Sequence, residues 1–186
     1  QVWPDGAPNA FTYDASTDPQ GEKYKDAILE IYPARNPNGY CVLLCPGGGY
    51  AVLSMGHEGR DLKDWFNARG FTFALLQYRM PRGHHDVPLS DVQQSMRILH
   101  SREDLGIKNV GVMGFSAGGH LASTTACHAP IESRPDFQIL FYPVISMDEK
   151  QSHKGSCNNF LGADVQNAKI VKQFSNMDAV RRHRTP

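Results

Sequence analysis

At 186 residues the chain is long enough for a single domain that buries its own core without disulfide or metal support. Nineteen basic residues balance nineteen acidic ones, which gives no electrostatic footprint for nucleic acid or an anionic membrane, and no apolar run reaches the ~20 residues of a membrane span. Cys41, Cys45, Cys127 and Cys157 are too few and scattered for a disulfide scaffold and lack zinc-ligand spacing, so they read as core thiols.

In chain order, the stretch from Gln1 to Pro19 is rich in Pro, Asp and Asn and reads as an extended arm laid on the surface. Its start at Gln1, with neither Met nor an apolar leader, is expected of a processed or partial chain; loss of a leader would place the protein in the periplasm or outside the cell. Ile28 to Tyr32 is a short β-prone run stopped by Pro33, and Tyr40 to Cys45 is a continuous apolar run of strand length, as in a strand covered on both faces. Leu62, Trp65, Phe66 and Arg69 keep a helical period that closes at Gly70. Phe71 to Gln77 is again a strand, and Pro81 to Pro88 a loop. Ser90-Asp91-Val92-Gln93 resembles a capping box opening a helix with Val92, Met96 and Leu99 on one face. Val110 to Phe115 is a strand, Ala117 to Cys127 a helix and Phe137 to Tyr142 a strand bounded by Pro143, with a helical tail expected from Val165 to Arg184.

Alternation of strands and helices predicts an α/β fold: a doubly wound, mostly parallel sheet with helices on both faces. Such sheets bind ligands beyond the carboxyl ends of their strands, and both glycine-rich segments fall there.

The sharper of these is Gly114-Phe115-Ser116-Ala117-Gly118-Gly119, between a strand and a helix. A serine attacks a carbonyl only if exposed, oriented and backed by a base. A tight strand-to-helix turn supplies the exposure, at the cost of strained backbone that needs small neighbours. The letters G-x-S-x-G alone are a weak signal; the strand before and helix after strengthen them. A bland alternative is a turn that only packs or cradles phosphate, but neither G-x-G-x-x-G nor G-x-x-x-x-G-K-[ST] occurs. The second segment, Pro46-Gly47-Gly48-Gly49-Tyr50, suits an oxyanion loop, because glycines let backbone N–H groups approach a developing negative charge. Gly48 and Gly49, with the N–H of Ala117 after the serine, are the candidate donors. Tyr50, His57 and Tyr78 are candidate contacts for substrate, with Glu58 beside His57; His120 is expected to lie beneath the site. His84 and His85 beside Asp86 are a weak metal pair and read as loop histidines, so no metal site is expected.

The strings PGGGY, GHEG, YRMP, VPLSD, GFSAGGHLAS and RPDFQILFYPVI together resemble bacterial α/β-hydrolase esterases related to acetyl xylan esterases, and more distantly the hormone-sensitive-lipase-like carboxylesterases. The resemblance runs from about Trp3 to Pro186. Pro46 stands where the lipase-type loop has histidine, which suits the acetyl-xylan-esterase-like branch. It implies a serine carboxylesterase with Ser116 as nucleophile, no cofactor, and an acyl ester as substrate, an acetyl group on a plant-wall sugar or oligosaccharide. It also implies that residues 1–186 form one hydrolase domain lacking the family's last strands, with the triad acid and histidine beyond Pro186. Within the chain, Asp148 with His153 or His183 keeps the required order, but the arginines around His183 would depress its basicity. A non-catalytic hydrolase-fold binding protein, or a serine peptidase or acyltransferase, are the rival readings. An open edge on the Phe137–Tyr142 strand is expected to be covered by a second copy, a swapped segment or a further stretch of chain.

Overall fold

The computed structural model describes residues 1–180 and 185–186. Five strands, β1 (Ile28–Tyr32), β2 (Tyr40–Cys45), β3 (Thr72–Gln77), β4 (Asn109–Phe115) and β5 (Gln138–Phe141), form one sheet in the order β1-β3-β2-β4-β5. β3, β2, β4 and β5 run parallel; β1 pairs antiparallel with β3, Ile28 opposite Gln77 and Tyr32 opposite Phe73. β2 lies in the middle, and from Cys41 to Cys45 its residues are wholly buried, which is why this strand reads as an unbroken apolar run.

The helices are α1 (Pro19–Lys23), α2 (Lys63–Asn67), α3 (Asp86–His100), α4 (Ser116–His128), α5 (Lys154–Leu161), α6 (Ala168–Phe174) and α7 (Asn176–Ala179). Alternation along β4 divides them between the two faces. Gly114 abuts the backbone of Gly118 in α4, whereas Gly111 abuts the Phe137 ring, and Met113 faces an apolar trough shared with Phe66 of α2. That trough, about 760 Å³, is lined by Trp65, Phe66, Phe71, Met113, Phe137 and Ile139 among others. β5 lies at the sheet edge, where Pro186 C=O accepts the Gln138 N–H at 2.8 Å; among the described residues no strand pairs beyond it.

Several elements differ from the sequence expectation for physical reasons. α3 begins at Asp86, not Ser90; Pro88 is tolerated because a first-turn residue needs no intrahelical N–H bond. Asp91, read as part of the helix start, is instead buried in a salt bridge with Arg79 (2.7 Å) and accepts the Trp3 indole N–H at 2.8 Å. The amino-terminal arm is therefore pinned to the core at Trp3, with Val2 and Tyr13 buried beneath it. The carboxyl-terminal region is not one helix: Asn167 caps α6 by accepting the Lys169 N–H, and Ser175 separates α6 from α7. The stretch 181–184, which includes His183, lies outside the described residues. α5 escaped sequence reading because Gly155, Ser156, Asn158 and Asn159 are poor helix formers; its inward Cys157, Phe160 and Leu161 hold it in place. Among the described residues no helix is long and apolar enough to cross a membrane.

Candidate active site

Ser116 is the first residue of α4, directly after β4, with φ +51°, in the left-handed region that non-glycine residues seldom occupy. Its carbonyl accepts the Val144 N–H at 3.0 Å, tying the turn to the segment after β5. The flanking glycines are required by proximity: a Cβ on Gly114 would meet the Gly118 carbonyl at 2.2 Å, and one on Gly118 would meet the Cys45 carbonyl at 2.1 Å. Strand end, helix start and glycine loop thus close on one another with no room for a side chain. Ala117 is the second residue of α4, so its N–H has no acceptor within the helix.

The loop after β2 is fixed carbonyl by carbonyl. Pro46 C=O accepts the Tyr78 hydroxyl at 2.7 Å, and Gly47 C=O accepts the Ser54 N–H at 3.0 Å. Gly48 C=O accepts from Ala51 (3.0 Å) and Val52 (3.1 Å), and Gly49 C=O from the Asn159 side chain of α5 at 2.9 Å. Because each peptide unit is planar and trans, pinning the carbonyls of Gly47 and Gly48 turns the following N–H groups, those of Gly48 and Gly49, the opposite way. Gly48 and Gly49 lie at φ +137° and +65°, which the loop's sharp turn demands.

Tyr50 and Tyr78 do not border an open cleft, contrary to expectation. Both are fully buried, and their hydroxyls are engaged beneath the loop: Tyr78 on Pro46, Tyr50 on Nδ1 of His120 at 2.7 Å. Burial pushes both phenols well above their usual pKa. His120 lies beneath the site, as anticipated. Its Nε2 sits 2.9 Å from the Phe174 carbonyl, which can only accept, so Nε2 carries the proton and Nδ1 accepts from Tyr50. Burial pulls this imidazole down to about 4, the Phe174 hydrogen bond opposing in part. The imidazole is therefore a neutral brace at ordinary pH.

His57 is exposed, within 3.2 Å of the Ser54 hydroxyl, at the rim of the apolar trough. Glu58, expected with His57 to line the pocket, instead has its carboxylate on the Gly47 N–H (2.9 Å) and the Tyr142 hydroxyl (2.7 Å). Asn159 and Tyr142 went unnoticed because they come from an unread helix and a strand end with no local motif.

The Asp148–His153 alternative does not assemble. Asp148 accepts the Lys150 N–H, while His153 caps α5 by accepting the Ser156 N–H on Nδ1 at 3.1 Å. That contact puts the proton of neutral His153 on Nε2 and leaves no free lone pair for a serine proton. His153 Nδ1 also meets the Ser156 hydroxyl, at 2.8 Å, and not that of Ser116. His84 packs on Phe11 and His85 on Phe174, and among the described residues no group of three His, Cys, Asp or Glu side chains is placed to hold a metal.

Comparison with known proteins places the fold. Residues 42–184 match a family model described as the alpha/beta hydrolase fold. The chain is 43% identical over 180 residues to an acetylxylan esterase of Xylanibacter ruminicola, covering 95% of this chain and 36% of that protein. It is 34% identical to endo-1,4-beta-xylanase B of Butyrivibrio fibrisolvens, covering 70% of this chain and 23% of that one. The chain thus spans about a third or less of these curated relatives. Among solved structures, an acetyl ester-xyloside bifunctional hydrolase from Caldicellulosiruptor lactoaceticus superposes with a TM-score of 0.74 at 28% identity, over 96% of this chain and 68% of the other.

Proposed function

Because this chain belongs to the α/β-hydrolase fold family, we propose that it carries the nucleophile and oxyanion loop of a serine carboxylesterase acting on acetyl esters of xylan-derived sugars. The observation that carries the reading is Ser116, held in left-handed backbone at a strand–helix turn and abutting the glycine loop. Ser116 Oγ adds to the ester carbonyl carbon as its proton passes to a general base. The carbonyl oxygen becomes an oxyanion received by the N–H groups of Gly48, Gly49 and Ala117. Collapse expels the alcohol, which takes up the proton, and leaves acetyl-serine; water repeats the sequence to release acetate and restore the hydroxyl. The route needs no metal or organic cofactor. We assign the base to a histidine outside the described residues: His120 is a buried brace, His153 is committed to a helix cap, His84 and His85 pack on Phe11 and Phe174, His57 meets the Ser54 hydroxyl, and His100 and His128 stand at the far ends of α3 and α4.

The acetyl-sugar substrate is favoured by 43% identity to an acetylxylan esterase, and a polymeric substrate would place the enzyme outside the cytoplasm. The test is release of p-nitrophenol and of acetate, from p-nitrophenyl acetate and acetylated xylo-oligosaccharides respectively, by the full-length protein and its Ser116→Ala variant. Loss of about 10³-fold or more in kcat is expected for the variant; equal turnover by both proteins would rule the nucleophile out.

A further inference from the structure

The peptide unit joining Pro46 and Gly47 is clamped at both ends, by Tyr78 on its carbonyl and Glu58 on its N–H. The second carboxylate oxygen of Glu58 accepts the Tyr142 hydroxyl, and Tyr142 directly follows β5. Since β2, β4 and β5 are adjacent in that order, this carboxylate ties the loops after β2 and β5 together across the end of β4, where Ser116 sits. A Cβ built on Gly47 would meet Glu58 Oε2 at 2.6 Å, the Phe115 carbonyl at 3.0 Å and Ser116 Cβ at 3.2 Å. Amide, carboxylate and serine turn therefore abut a single point.

A negative charge beside a place where another must form is unfavourable. Packing alone would be served by a neutral side chain. An ionised carboxylate nevertheless has one property no neutral residue of its size shares: both oxygens accept, and each bond is charge-assisted. Both are used, one on each loop. Tyr142 is itself held in left-handed backbone at φ +34°, with the Phe115 ring against it at 5.7 Å, and its hydroxyl is tied down although the residue is 64% exposed.

From this we infer that Glu58, held by Tyr142, is a positioning residue for ester hydrolysis: through Gly47 it sets the orientation of the loop whose next two N–H groups receive the oxyanion. It acts without touching substrate, and the inference rests on the esterase reading above. Oxyanion contacts are realised mainly in the transition state, so a displaced loop lowers kcat and leaves KM nearly unchanged.

The experiment compares Glu58→Ala, Glu58→Gln, Tyr142→Phe and Ser116→Ala in the full-length protein with p-nitrophenyl acetate, with circular dichroism and thermal unfolding on each. Glu58→Ala should lower kcat by about 30-fold or more with KM within about 3-fold. Glu58→Gln, whose amide oxygen still accepts from Gly47, should stay within about 5-fold of the native kcat, with Tyr142→Phe falling between the two. A Glu58→Ala enzyme with near-native kcat, a loss confined to KM, or a glutamine variant as poor as alanine overturns the inference. If Glu58→Ala does not fold, Tyr142→Phe decides: a kcat about 3-fold or more below native with KM unchanged supports the brace, and a smaller change refutes it. Activity that survives Ser116→Ala removes the esterase reading instead, a separate outcome.

Discussion

Acid should destabilise this protein chiefly through the imidazole of His120. The side chain is fully buried, accepts from Tyr50 and donates to Phe174, and burial holds its pKa at about 4 against an ordinary 6.5. The unfolded chain takes up a proton near pH 6.5 while the folded one refuses it until about 4. Stability from this group is thus complete above ~6.5 and declines as pH falls through that value, at about 1.4 kcal/mol per pH unit. The gap corresponds to on the order of 3 kcal/mol by pH 4 and roughly 2 kcal/mol at pH 5, a large share of the 5–15 kcal/mol typical of a domain. Asp18, held low by its hydrogen bond to Arg82, and Asp104, held low by Arg102, contribute stability present above the unfolded carboxylate pKa and lost only in stronger acid. Urea unfolding at about pH 7 and about pH 5 leaves those two carboxylates charged, and buried Asp91, pushed up by desolvation, is common to any pair of proteins that differ only at His120. His120→Gln keeps a donor and an acceptor but does not titrate, and His85, also pulled low by partial burial, is common to both proteins. The native protein should lose roughly 2 kcal/mol more than His120→Gln between the two pH values. Parallel losses in both would refute the claim that a neutral His120 underlies the loop.

Other substitutions probe the same architecture. Asp91→Ala leaves Arg79 buried without its partner and should cost about 3–5 kcal/mol in denaturant unfolding, whereas the paired change Arg79→Met with Asp91→Leu should recover most of it. Gly47→Ala places a methyl against Glu58 and Ser116 where φ is permissive, so kcat should fall by about 10²-fold with native circular dichroism retained. The four cysteines are free and buried, Cys41 pushed up to about 12 by burial; a thiol reagent should label none in the native protein and all four in denaturant.

The sheet was legible because its strands announce themselves: residues 41–45 and 72–76 are covered on both faces, and continuous burial leaves a nearly continuous apolar run. The serine turn was legible because its geometry forbids side chains at Gly114 and Gly118, so steric need is written directly as glycine. Roles set by distant partners left no such mark. Nothing near Glu58 in sequence foretells Tyr142, and nothing in Tyr50 or Tyr78 distinguishes a phenol facing substrate from one bonded beneath a loop. Asp91 passed as an ordinary first-turn residue behind Ser90 because only the fold brings Arg79 and Trp3 to it. Local sterics and periodicity reach the letters, whereas contacts across the fold do not.

Strain and its restraint lie close together at the carboxyl ends of β2, β4 and β5. Ser116, Tyr50 and Tyr142 all occupy left-handed backbone, each at a cost on the order of 1 kcal/mol or more, and all three stand just beyond those strand ends. Each is held by a contact that the core of the sheet does not supply: Val144 on the Ser116 carbonyl, His120 on Tyr50, Glu58 on Tyr142. Polar restraints of this kind open more readily than the interior of β2, where Val42 to Leu44 have no exposure. Amide exchange should then separate the two: Val42–Leu44 exchange only with global unfolding, while Ala51 and Val52, bonded to Gly48, exchange through a smaller opening that His120→Gln or Glu58→Ala makes easier. Equal protection of loop and strand, unchanged in either variant, would mean that the glycine loop is fixed by the sheet itself and that the braces are incidental.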